Sequence, residues 1–216
     1  MLIEHARAQA ADRIGLSFHG GGEPTVVFPL LRAVSEAARA DAARAGLGLE
    51  LSLGTNGVMP RATAEWLAAH LTSATVSLDG PAPLHDRQRP GSDGGGSHQA
   101  VLGTLACFDA RGLDYGLRAT ITEDGVDRMP EIVAHLCEVS RARWIKLEPL
   151  FAQGRAARHR MEPPDPRRFV AGFWEARALA ARAGRCLAYS GLRLDVTTDR
   201  FCAAAGHSFC LTPDHH

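Results

Sequence analysis

Short apolar runs alternate with long amphipathic stretches through most of the 216 residues, and no other feature restricts the fold as much. The runs are Ile14–Phe18, Leu49–Leu53, Ala74–Leu78, Tyr115–Ile121 and Trp144–Leu147, each about the length of a strand. Between them lie Thr25–Ala45, Pro60–Leu71, His98–Arg111 and Glu131–Ser140, and Pro163–Ala183 carries one more helix. In Thr25–Ala45 the apolar residues Val26, Val27, Leu30, Leu31 and Val34 recur at helical spacing. Alternation at this pitch predicts parallel strands joined by right-handed crossovers. Residues 1–12 read as the end of a helix, and the last thirty residues are less regular.

The carboxyl ends of the runs carry glycine and polar chemistry: Gly20–Glu23, Gly54–Gly57, Asp79-Gly80, Thr120–Glu123 and Glu148–Leu150. In a parallel sheet all of these ends share one rim, where such folds place their ligands. The first is the richest. Gly20-Gly21-Gly22 removes side chains between backbone and ligand, Glu23 supplies a charge, and Pro24 suits a first helical turn. Pro81 to Gly96 reads as a long loop rich in Pro, Gly, Asp and Arg, a length that in compact domains is usually functional or disordered. Ser97 is the expected N-cap of the helix after it.

Composition narrows the function classes. Net charge is zero, which predicts no nucleic-acid partner and no anionic membrane surface. No apolar run approaches the ~18–20 residues of a membrane span. The N-terminus lacks a secretory pattern, so a cytoplasmic location is expected. Cys107, Cys137, Cys186, Cys202 and Cys210 form no Cys-x-x-Cys. Lys146, the one lysine, reads as a coding bias toward arginine, and Glu50, Asp109 and Glu138 read as solvated charges.

Four blocks in order resemble one family. Phe18-His19-Gly20-Gly21-Gly22-Glu23-Pro24-Thr25 is similar to the Gly-Gly-Glu-Pro motif of radical S-adenosylmethionine (AdoMet) enzymes. Val76-Ser77-Leu78-Asp79-Gly80-Pro81, with His85-Asp86 and Arg89, resembles the next block of the branch that holds anaerobic sulfatase-maturating enzymes and peptide maturases. Lys146-Leu147-Glu148-Pro149-Leu150, with Gly154-Arg155-Ala156, resembles a later strand and loop. Phe201-Cys202-Ala203-Ala204-Ala205-Gly206, with Thr212-Pro213-Asp214, is similar to the opening of the C-terminal SPASM extension.

The resemblance implies a partial TIM-like (β/α)6 barrel over residues 1–184, lacking its first strand, and the start of a SPASM-like extension over 185–216. It implies AdoMet as cofactor, held by Gly21, Gly22, Glu23, Ser77, Arg89 and Leu150. Glu23 would take the ammonium, Ser77 and Arg89 the carboxylate, and the backbone near Leu150 the adenine. The implied reaction is reductive cleavage of AdoMet to a 5′-deoxyadenosyl radical that abstracts hydrogen from a peptide or protein substrate. Flavodoxin or ferredoxin would be the reductant. A 4Fe-4S cluster is also implied, but the Cys-x-x-x-Cys-x-x-Cys that would hold it does not occur in the sequence; Cys202 matches only the first cysteine of the extension. The expectation is an N-terminally truncated member that is not competent alone. The alternative is a non-catalytic AdoMet- or peptide-binding fragment without a cluster.

Overall fold

The computed structural model describes residues 2–20, 22–158 and 161–191. Gly21, Cys202 and the SPASM-like segment from 192 onward lie outside the described residues. Six strands form one sheet: β1 (Arg13–Phe18), β2 (Gly48–Thr55), β3 (Ser73–Ser77), β4 (Asp114–Ile121), β5 (Trp144–Pro149) and β6 (Cys186–Ala188). Their spatial order is their chain order, and every pair is parallel. Among the described residues β1 and β6 are the two edges; the strands are parallel, as the alternation predicts, and the sheet is an open part-barrel, as the resemblance implies. Cys186–Ala188 adds to this sheet through register pairs such as Ile145 with Leu187.

The helices are α1 (Leu2–Ala8), α2 (Phe28–Ala45), α3 (Arg61–His70), α4 (Ala82–Gln88), α5 (His98–Arg111), α6 (Met129–Val139), α7 (Arg155–Arg158) and α8 (Pro166–Arg182). Residues alternate across each strand. One set, including Leu51, Leu53, Val76, Leu117, Ala119, Ile121, Ile145 and Leu147, is buried in a core shared with Leu67, Leu105, Phe108, Ile132, Leu136 and Phe173 of the helices. The other set contains Ser17, Ser52, Gly54, Thr75, Ser77, Arg118, Thr120, Lys146 and Glu148. That face is polar and bounds a cavity of about 430 Å3. No described helix is long and apolar enough to cross a membrane.

Four expectations from sequence are corrected. The first concerns Thr25–Ala45. Pro24–Val27 is a separate 3-10 turn, and α2 starts at Phe28 with Pro29 in its first turn. The change of pitch rotates the apolar set, so Leu31 is buried with Ser35 while Val26, Val27 and Leu30 are exposed. Ser35 stays satisfied by donating Oγ to the Leu31 carbonyl at 2.8 Å.

The second concerns Pro81–Gly96, which contains α4. Pro81 precedes that helix and Pro83 sits in its first turn, where a missing N–H costs nothing. Ser97 precedes α5 but does not cap it with its side chain. Asp86 of α4 does so, accepting from the Ser97 and His98 amides at 2.9 and 2.8 Å. Asp109 is not merely solvated either: it accepts the Tyr115 hydroxyl at 2.6 Å, and burial together with this bond raises the Tyr115 pKa.

The turn after β2 depends on Gly57. Its φ is +77°, and an added Cβ would lie 2.9 Å from Val76 Cγ1 and 3.1 Å from Val101 Cγ1. Its carbonyl also accepts the Thr104 hydroxyl at 2.7 Å, tying the turn to α5. Gly57→Ala is expected to lower the free energy of urea unfolding by about 2–3 kcal/mol, combining left-handed strain with a clash between core side chains.

Candidate functional site

Side chains from the loops staple neighbouring strands together at the carboxyl rim. Gly22, at φ +144°, leads out of β1 into Glu23. Glu23 caps the 3-10 turn through the Thr25 amide at 3.2 Å and also takes the Thr25 hydroxyl at 2.8 Å. The same carboxylate crosses to β2, accepting from Thr55 Oγ1 at 2.8 Å and from the Asn56 amide at 2.6 Å. Three of these donors meet Oε1 and one meets Oε2, so Oε2 retains a lone pair for an outside donor.

Asp79, just after β3, is 1% exposed. Its Oδ1 accepts the Thr120 amide of β4 at 2.8 Å, and its Oδ2 accepts Arg89 Nε at 2.6 Å. Arg89 also reaches Thr120 Oγ1 at 3.3 Å. Two of its five N–H donors are therefore engaged, and the Arg89 side chain is 31% exposed. Burial of the Asp79 charge is tolerated because it is paired and hydrogen-bonded on both oxygens.

His85 holds this arrangement from behind. It is fully buried; Nδ1 accepts the Asp79 amide at 3.1 Å, and Nε2 faces Ser97 Oγ at 3.0 Å. An acceptor role at Nδ1 fixes the neutral tautomer with the proton on Nε2. Ser97 Oγ in turn donates to the Arg89 carbonyl at a contact of 2.5 Å. The chain Asp79–His85–Ser97–Arg89 thus closes on itself and fixes where the guanidinium stands. Burial pushes the His85 pKa down to about 4, Arg89 and His98 add to the depression, and the carboxylates of Asp79 and Asp86 oppose it.

Glu148, 7% exposed at the end of β5, accepts both the amide and the hydroxyl of Ser190. Leu150 donates its amide to the Ile121 carbonyl at 2.8 Å, linking β5 to β4. Ser77 is half-buried at the end of β3, and its side chain has no hydrogen-bond partner among the described residues. Of the residues named from sequence, Gly22, Glu23, Ser77, Arg89 and Leu150 therefore all lie at one rim. Asp79, Thr55, Asn56, Thr120 and Glu148 fall in the polar strand ends that the sequence places at this rim, but their roles in positioning Glu23, Arg89 and Ser190 emerge only from the hydrogen bonds. Sequence reasoning missed Arg118 and Lys146 on the polar face, although the alternation of Leu117/Arg118/Ala119/Thr120 and Ile145/Lys146/Leu147/Glu148 carries the signal.

A metal cluster does not fit what is described. Cys107, Cys137 and Cys186 stand on three different elements, and no group of three or more His, Cys, Asp or Glu among the described residues could hold a metal.

No model of a known protein family matches the chain. Several solved structures share its fold. The anaerobic sulfatase-maturating enzyme anSMEcpe with bound AdoMet matches at a TM-score of 0.69 and 17% identity, over 87% of this chain and 52% of that one. The same enzyme with AdoMet and the Kp18Cys peptide gives 0.70 at 17%, over 88% and 53%. Coproporphyrinogen III oxidase (HemN) from Escherichia coli, a radical SAM enzyme, gives 0.61 at 12%, over 85% and 44%. A domain of pyruvate-formate lyase-activating enzyme from Bacteroides vulgatus gives 0.60 at 13%, over 81% and 98%. The chain spans about half the length of the sulfatase-maturating enzyme it matches. What the chain shares with these structures is the fold, a partial barrel of parallel strands.

The His85 link makes stability depend on pH. Its folded pKa lies below the unfolded value of about 6.5, so the native state binds fewer protons. Its contribution is complete above pH 6.5 and is lost as the pH falls toward 4, by an amount on the order of 3 kcal/mol. Urea unfolding measured from pH 7 to pH 4.5 is expected to show this decline, with a shallower slope in His85→Gln.

Proposed function

We propose that this chain is the AdoMet- and substrate-binding part of a radical SAM enzyme acting on a peptide or protein. The carrying observation is Glu23: a carboxylate fixed by four donors at a glycine-turn rim, with one acceptor position left on Oε2. The AdoMet ammonium suits that position. Its carboxylate suits the Ser77 hydroxyl and the unused donors of Arg89. Near Leu150 the amide is already engaged with Ile121, which leaves the carbonyl to meet an adenine amino group. When bound with a reduced cluster, AdoMet supplies radical chemistry at a C–H bond.

The residues of the chain bind and orient. The stapling of Glu23 to β2 and of Arg89 to Asp79 and Thr120 means that neither charged group has to reorganise when ligand arrives. Peptide as substrate class is supported by the fold shared with anSMEcpe, whose structures hold AdoMet together with the Cp18Cys or Kp18Cys peptide. Reductive cleavage needs cluster cysteines that these 216 residues do not supply in the required spacing. The reading is therefore of a binding unit that does not turn over by itself. Flavodoxin or ferredoxin would serve as reductant of the complete system, and a cytoplasmic site of action is part of the same proposal.

Calorimetric titration with AdoMet tests the reading. The wild-type chain is expected to bind. Glu23→Gln removes the charge but keeps the shape, and is expected to bind roughly 10- to 100-fold more weakly, the value of a charge-assisted hydrogen bond. No binding by the wild type, or equal affinity in the variant, overturns it. Anaerobic incubation with iron, sulfide, dithionite and AdoMet is expected to yield no 5′-deoxyadenosine beyond background.

A further inference from the structure

The floor of the part-barrel carries a pair of positive charges that the rim does not use. Arg118 of β4 and Lys146 of β5 are in direct register on the polar face. Neighbouring strands are about 5 Å apart, so two cations in register repel each other and destabilise the sheet. Neither has an ion-pair or hydrogen-bond partner among the described residues. Elsewhere among the described residues arginines pair with carboxylates, for example Arg13 with Glu50, Arg89 with Asp79 and Arg128 with Glu131. The contrast is sharpest for Lys146, the single lysine of the sequence.

Both cations line the 430 Å3 cavity, a volume within the usual range for ligand sites. The rest of the lining includes Ser17, Ser52 and Thr75, short side chains that leave the space open. Glu148 also borders the cavity, two residues along β5 from Lys146. Its Oε1 is occupied by Ser190, and the local balance remains one positive charge. Glu23 and Arg89 are not part of this lining, so the cationic pair is separate from the rim groups assigned to AdoMet.

We propose that Arg118 and Lys146 together bind a carboxylate of the substrate, making the preferred substrate a peptide with an acidic side chain or a free C-terminus next to the segment in the barrel. This rests on the radical SAM reading for the identity of the substrate as a peptide, but not for the existence of the anion site. Arg118 offers a planar fork for two carboxylate oxygens, and Lys146 a point charge beside it. Both residues are exposed to the cavity, and an anion lying between them would relieve their repulsion.

Three blocked peptides serve as probes in calorimetry at low ionic strength: acetyl-Gly-Glu-Gly-amide, acetyl-Gly-Gln-Gly-amide and acetyl-Gly-Gly-Gly with a free carboxylate. The chain is expected to prefer at least one carboxylate peptide over the glutamine peptide by roughly tenfold. Which of the two it prefers separates a side-chain from a terminal carboxylate. Arg118→Gln and Lys146→Gln are each expected to erase the preference, Arg118→Lys to keep part of it, and both glutamine variants to melt no lower than wild type. Equal binding of the glutamate, glutamine and free-acid peptides by wild type overturns the proposal, as does an undiminished preference in both glutamine variants. AdoMet is titrated into the same samples. Retained AdoMet binding with no carboxylate preference removes this proposal alone, whereas carboxylate preference without AdoMet binding removes the radical SAM reading and leaves the anion site standing.

Discussion

A parallel sheet covered by helices on one face only must do something with the other face. Parallel strands ordinarily have both faces buried. Here the helices pack against Leu51, Leu53, Val76, Leu117, Ile121 and Leu147, and the alternating partners are serine, threonine, glycine and charged residues. That face cannot pack as an apolar core, so it stays open as a wet, polar hollow. The polar face lines a cavity, and a polar cavity beneath a rim of loop chemistry is a place for a ligand. The location of the candidate site follows from this one asymmetry.

The rim depends on carboxylates that act first as structural staples. Glu23 joins the turn after β1 to the end of β2, Asp79 joins β3 to β4, and Glu148 joins β5 to Ser190 after β6. Each satisfies backbone or hydroxyl donors at the end of a strand, where ladder hydrogen bonds run out. The charged groups proposed to meet AdoMet are thus held by bonds present before ligand arrives. His85 adds a hidden layer. It touches no ligand position, yet its neutral tautomer connects the Asp79 backbone to Ser97 and so to the segment that carries Arg89.

Much of this was legible in the residues. The strand runs, the polar carboxyl ends and the glycine turn with Glu23 could be read because each is a local pattern of fewer than about ten residues; Ser77 and Arg89 were singled out only by the family resemblance. The misses have local causes as well. α4 was hidden because Pro81, just before the helix, and Pro83, in its first turn, look like loop residues when proline's place at a helix start is not recognised. Ser97 looked like a cap, but a carboxylate eleven residues earlier does that work and frees its hydroxyl for His85 and Arg89. Val26 and Leu30 have helical spacing, but one turn of 3-10 helix changes which way they face.

The sequence by itself determined the order of elements, the parallel class and the chemical character of the rim. Period-2 and period-3.6 patterns and turn residues are enforced by short-range sterics, and these are written locally. Only the tertiary structure decided that the six strands lie in chain order, that the helices of the main core pack on one face, and that Arg118 stands beside Lys146. Those outcomes depend on which distant surfaces pack together and on registers between strands separated by whole helices. A lysine that looked like a trace of composition became half of a charged pair only when β4 and β5 were placed side by side.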